Sequence, residues 1–239
     1  MSLRNPLTFA MLVFPVMIFA PEASGQEMPE DDGESGKPGC EFLWGPRASF
    51  DIFSCEKSTD MSPHDPDEIG LGASAGVAAR FMWHRRWFVE SGLFLSYGNA
   101  SVPVTVWSDD GKGAVALHDS YTLSRGAIQL PVHLGVRWDI NENLGIGVFT
   151  GVRLSWGFAG SLSNGPSYMP EFDLYGDNGV WRRFGVAPVI GVEFWCARNM
   201  SVSVAGNLGV NNMARKPIFD TSHMDESECR IAYTYWFGR

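Results

Sequence analysis

The residues with most chemical capacity in this chain fall at alternate positions of apolar segments: Arg47, Asp51, Arg80, Glu90, His133, Arg137, Arg153, Glu193 and Arg230. Guanidinium groups, carboxylates and an imidazole sharing one face can neutralise one another as a salt-bridged network, or can line a path for protons or small solutes. Other chemistries find less support. The five histidines, His64, His84, His118, His133 and His223, are scattered without metal-ligand spacing. A Ser-His-Asp arrangement can be assembled on paper, but nothing singles one out. Acidic residues gather in two further stretches, Glu56, Asp60, Asp65, Asp67 and Glu68, then Asp220, Asp225, Glu226 and Glu228. Several carboxylates can bridge a hard cation, yet calcium-loop spacing is missing and solvated loops are the expected reading. No cofactor, no metal site and no enzymatic activity are expected.

The elements that must position these groups follow a two-residue period. Residues 144–156 read LGIGVFTGVRLSW, with Leu144, Ile146, Val148, Val152, Leu154 and Trp156 on one parity and Gly145, Gly147, Gly151, Arg153 and Ser155 on the other. That is a strand with one apolar face. The same rhythm predicts strands over 44–53, 69–83, 87–97, 127–138, 184–195, 201–210 and 230–237. In each, the apolar set would face outward. The inward set would hold small residues and the charges named above.

Eight strands joined by three short turns and four long loops predict an all-β fold: an eight-stranded antiparallel transmembrane β-barrel with short periplasmic turns and long extracellular loops. The aromatic residues agree with that placement. Trp44, Trp83, Trp87, Trp138, Phe194 and Phe237 carry outward parity and fall at the expected periplasmic ends, forming an interfacial girdle. Tyr97, Trp156 and Phe184 would mark the opposite rim. The composition fits too, with 27 Gly for a crowded interior and tight turns and 9 Trp for membrane interfaces. Eight strands leave a bore that side chains can fill, so mutual packing of the inward charges is favoured over conduction. Pro131 and Pro188 fall within strands, where each removes a ladder donor, and bulges are expected there.

The N-terminal residues 1–25 predict a signal peptide: Arg4 precedes an apolar run from Leu7 to Ala20, and small residues Ala23, Ser24 and Gly25 follow. Residues 26–42, polar, acidic and punctuated by Pro and Gly, predict a disordered periplasmic leader. The barrel domain is assigned to 43–239. A net charge of −9 without a Lys/Arg cluster argues against nucleic acid as a partner. Four cysteines in an exported chain make disulfides plausible. Barrel closure sets the first and last strands side by side, so Cys55 and Cys229 are expected to pair at the extracellular rim, with Cys40 and Cys196 as a weaker periplasmic pair.

Residues 87–101, WFVESGLFLSYGNAS, and 127–138, AIQLPVHLGVRW with its Leu130-Pro131 pair, resemble the PorT-like family of outer-membrane β-barrel proteins of Gram-negative bacteria. The glycine-rich 144–156 and the terminal IAYTYWF match in character, although Gly238 and Arg239 follow the final aromatic residue. The resemblance implies an eight-stranded barrel in the bacterial outer membrane, and some members of that family are tied to protein secretion. The expected role is a non-enzymatic structural, assembly or adhesion component in contact with outer-membrane lipid, with a protein partner engaged through the extracellular loops. A narrow pore or transporter for small solutes, or a soluble exported barrel binding an apolar ligand, are the alternatives.

Overall fold

Strands form where outward positions carry branched, aromatic or leucine side chains and the intervening positions carry Gly, Ala, Ser or a charge, a pattern that suits a pleated wall with lipid outside and a narrow bore inside. The computed structural model describes residues 40–58, 68–84, 86–109, 114–141, 143–163, 171–177, 179–210, 213, 215 and 223–238. The expected signal peptide, nearly all of the expected leader, and His64, Asp60, Asp65, Asp67 and Asp220 lie outside these residues.

The elements are β1 (Glu41–Ser58), β2 (Glu68–Trp83), β3 (Trp87–Asp109), β4 (Ala114–Asp139), β5 (Gly145–Ser163), β6 (Phe172–Asp173), β7 (Phe184–Ala197), β8 (Met200–Leu208) and β9 (His223–Tyr235). All pairings are antiparallel. Eight strands close into a ring in the order β1, β2, β3, β4, β5, β7, β8, β9 and back to β1, while the two-residue β6 lies against the outer end of β5. The closure leaves no sheet edge in the wall, as a bilayer requires. Short turns after β2, β4 and β7 gather at the end that also holds the start of β1 and the end of β9, which makes that end periplasmic.

The wall is inverted relative to a water-soluble protein. Leu93, Leu95, Val77 and Leu134 stand exposed on the outside, whereas Arg80, Glu90 and Glu193 are buried within. Trp44, Trp87, Trp138, Phe194 and Phe237 are exposed near the periplasmic end and Trp83 is half-buried there, with Trp44 packed on Phe237 at a ring separation of 4.9 Å. Tyr97, Trp156 and Phe184 are exposed toward the other end.

Several expected boundaries change. The β3–β4 hairpin continues to Asp109 and Ala114, so the long loop expected between them is mostly paired strand. The last strand begins at His223 rather than 230, and β1 begins at Glu41, inside the stretch expected to be leader. The bulges expected at Pro131 and Pro188 are absent. Pro131 stays in register opposite Arg153 and Pro188 opposite Val152; the registers shift instead between Gly126 and Ala127, and between Trp195 and Ala197. A missing N–H interrupts one bond without requiring an extra residue, so register survives. At Pro188, β8 has already left the ladder, whose last pairs join Val189 to Asn207.

Local chemistry fixes the turns. Asn141 accepts the amides of Asn143 and Leu144 through its side-chain oxygen at 2.9 and 2.8 Å, an Asx turn between β4 and β5. His84 takes a φ of 53° in the β2–β3 turn. Inside the barrel, Gly151 lets its strand meet β4 closely: a Cβ there would lie 2.0 Å from the Val132 carbonyl oxygen, whereas a Cβ on Gly206 would meet nothing within 4 Å. Gly151→Ala is therefore expected to destabilise the barrel by about 1–3 kcal/mol through forced backbone movement, with Gly206→Ala within about 0.5 kcal/mol of the parent. Urea unfolding in detergent micelles, followed by the electrophoretic shift between folded and heated protein, measures both; equal stability of the two variants would contradict the packing described.

Candidate functional site

The lumen brings the nine inward ionisable residues into two clusters. The periplasmic one centres on Arg80 of β2, whose guanidinium meets Glu90 of β3 and Glu193 of β7, the latter through Nη1 at 2.7 Å and Nη2 at 2.9 Å. Strands β2 and β7 lie opposite one another in the ring, so this pair ties the full diameter of the barrel. Arg47 donates to Glu90 at 2.6 Å and to the Thr234 hydroxyl at 2.6 Å, and His133 Nδ1 lies 3.4 Å from Glu90. Arg137 meets Asp139 at 2.5 Å near the turn. Aromatic rings complete the layer: the Arg80 guanidinium lies 4.0 Å from the Phe88 ring and 4.5 Å from Trp236, and Arg137 lies 3.8 Å from Trp195, contacts of cation–π geometry.

The second cluster lies toward the outer end. Arg230 binds Asp51 at 2.7 Å, Glu228 at 2.8 Å and the Gln129 side-chain oxygen at 2.6 Å. Arg153 meets Glu228, and donates to the Asn207 side-chain oxygen at 3.0 Å. Arg125 of β4 pairs with Glu226 of β9, another tie between opposite strands. Three arginines thus face three carboxylates, Asp51, Glu226 and Glu228. Such mutual neutralisation removes most of the cost of holding charge away from water.

Between the clusters is a void of about 30 Å³ touched by His133, Arg153, Arg47 and Arg230, enough for water but not for a solute. Apolar layers close the lumen above and below. Trp195, Trp236, Phe88, Leu43 and Met82 pack at the periplasmic end. At the outer end Leu174, Tyr175 and Trp181, from the segment carrying β6, pack into the mouth against Phe53, Tyr121 and Leu162.

Three readings from the sequence need correction. Glu226 and Glu228, expected in a solvated acidic loop, are buried on β9 and neutralise lumen arginines. Cys229 is opposite Ile52 and Cys55 opposite Glu226, three ladder positions apart and on opposite parities. That offset is about 10 Å along a strand, beyond the roughly 7 Å between Cα atoms that a disulfide spans; Cys229 is free, and the Cys55 side chain lies outside the described residues. Cys40 and Cys196 are likewise free and exposed, and the Cys196 thiol lies 3.9 Å from the Met200 carbonyl instead. Residues that sequence reasoning missed include Arg125, Trp195 and Trp236. Trp195 shares the inward parity of Glu193 two residues before it, which is the local signal for an aromatic layer inside the girdle.

Replacing Arg80 with Met leaves Glu90 and Glu193 buried without their shared cation, and is expected to cost about 3–5 kcal/mol. Glu90 keeps Arg47 in that variant, so Glu193 is the carboxylate left without a cation, and adding Glu193→Gln is expected to restore more than half of the loss. Urea unfolding in micelles measures each; a double variant no more stable than Arg80→Met would show that the stranded carboxylate is not the source of the loss.

A family model described as outer membrane protein beta-barrel domain matches residues 31–215. A search of curated proteins finds no significant match. Solved structures with similarity include Ail, the attachment invasion locus protein of Yersinia pestis, 13% identical, covering 82% of this chain and 99% of that one with a TM-score of 0.38. Neisserial surface protein A is 12% identical, with 83% and 99% covered and a TM-score of 0.40. OprG from Pseudomonas aeruginosa is 12% identical, with 85% and 99% covered and a TM-score of 0.37. Likeness of this grade carries no activity from one protein to another. The family match spans most of the strand ring, and with lipid-type side chains outside and paired charges inside, the chain belongs to the outer membrane protein β-barrel domain family and resides in the bacterial outer membrane.

Proposed function

We propose that this barrel is a non-enzymatic, non-conducting component of the outer membrane that works through its extracellular face, as a structural, assembly or adhesion element with a protein partner. The observation that carries the reading is the packed lumen. Two neutralised charge clusters tie opposite strands, and apolar layers cover both ends among the described residues. A bore filled in this way offers a solute no route, and what remains available for recognition is the loop end of a rigid scaffold. The resemblance of residues 87–101 and 127–138 to the PorT-like family adds an association with protein secretion to this proposal.

Purified full-length protein in planar bilayers is expected to give no steady single-channel current at any moderate voltage. Reproducible conductance steps would replace this reading with that of a narrow pore or transporter. In intact cells, a photo-crosslinker placed in the extracellular loops is expected to capture a discrete protein partner, and capture unchanged by moving the crosslinker to a periplasmic turn would argue against loop-directed recognition.

A further inference from the structure

A cleft of about 710 Å³ opens at the extracellular rim beside the start of β7, between the mouth residues Tyr175 and Trp181 and the outward Phe184 and Val186, and three of its lining residues are Arg182, Arg183 and Arg215. No carboxylate of the described residues lines it. Glu171, Asp173 and Asp177 belong to the same chain segment but are not part of the lining. The contrast with the lumen is direct, because there each arginine cluster is faced by carboxylates. Here Arg183 donates to the Tyr175 carbonyl and Arg215 lies 3.4 Å from the Gly176 carbonyl, both uncharged acceptors. Positive charge gathered in this way, in a chain with a net charge of −9, marks a place where an anion is favoured.

The Trp181 ring also lines the cleft and is 3% exposed. The backbone holds the group together in advance: the Arg182 amide donates to Met213 at 2.8 Å, the Arg215 amide to Val180 at 2.8 Å, and the Arg183 carbonyl accepts from Gly157 at 2.7 Å. Preorganised guanidinium groups suit phosphate oxygens especially well.

The remaining lining decides between a soluble anion and a lipid. Phe184 and Val186 have outward parity on β7, and Trp156 beside them, 5.6 Å from the Arg183 guanidinium, is exposed on the lipid-facing wall. The cleft therefore continues downward into the apolar belt. We infer that Arg182, Arg183 and Arg215 form a binding site for the phosphate of a phosphorylated glycolipid of the outer leaflet, whose acyl chains lie along the wall beneath Phe184 and Val186. This site is independent of whether the barrel conducts.

The test uses the full-length protein in detergent with bis-phosphorylated lipid A, the same lipid stripped of its phosphates, inorganic phosphate and a sulfated oligosaccharide as probes. Retention of lipid in native mass spectra and quenching of tryptophan fluorescence report binding. The phosphorylated lipid is expected to bind at least about tenfold more tightly than the stripped lipid, with the triple variant R182Q/R183Q/R215Q losing that preference and the corresponding triple lysine variant keeping part of it. Equal binding of the two lipids, or an undiminished preference in the glutamine variant, would overturn the site. Inorganic phosphate or the sulfated sugar binding as tightly as the lipid would overturn its assignment to a lipid. Folding of each variant is read from its gel shift, and the comparison of the two lipids on the parent protein decides the matter even where a variant fails to fold.

Discussion

The ion pair between Arg80 and Glu193, drawn at 2.7 Å between opposite strands of the ring, sets the scale of the barrel. Side chains can join across the middle only if the bore is as narrow as eight strands make it. Having joined, they fix which charges the rest of the lumen must supply. Glu90 accepts from both Arg80 and Arg47, so it neutralises a second guanidinium, while the rings of Phe88 and Trp236 cover the faces of Arg80 that carboxylates leave open. Removing any single partner would strand a charge in a space that water barely enters, which makes the cluster a unit rather than a set of independent pairs.

That narrowness also explains the glycines. An inward position beside a long arginine or an aromatic ring cannot carry another side chain, and a Cβ on Gly135 would lie 2.3 Å from the Phe88 ring, as would one on Gly191 from Phe149. Large and absent side chains alternate around the bore, so volume is filled without a void large enough for solute. The wall and the lumen are thus solved by different residue classes on the same strand. Outward positions need only be apolar, whereas each inward residue must match a specific neighbour several strands away.

This division decides what the sequence makes legible. Outward parity is local, so the strands, the aromatic girdle and the inward position of Arg47, Asp51, Arg80, Glu90, His133, Arg137, Arg153, Glu193 and Arg230 could be read directly. Strand ends beyond the lipid belt could not be read from greasy outward residues, because none are needed there. Glu226, Glu228 and Arg230 keep the two-residue spacing, but Ser227 takes the outward place and the stretch resembles a loop. The β3–β4 extension did leave a trace in Val102, Val104 and Val106, a valine alternation that turn residues nearby obscured. Register was not legible at all. Barrel closure correctly makes β1 and β9 neighbours, yet placing Cys55 beside Cys229 needs the ladder position, and the register sets the two three residues apart.

The outer end shows how filling the bore and shaping the surface become one problem. The segment that carries β6 sends Leu174, Tyr175 and Trp181 into the mouth, where they pack on Phe53, Tyr121 and Leu162. Its backbone is then tied to the wall, with Leu174 bonded to Gly160 at 3.0 Å and Gly157 to Arg183 at 2.7 Å. Residues following Trp181 must leave the mouth over the rim of β5 and β7. Arg182 and Arg183 consequently stand at the rim, outside the neutralised lumen, at the level of Trp156 and Phe184. Charges that the interior cannot accommodate, because its carboxylates are already matched, are delivered to the boundary between water and lipid by the same packing that closes the barrel.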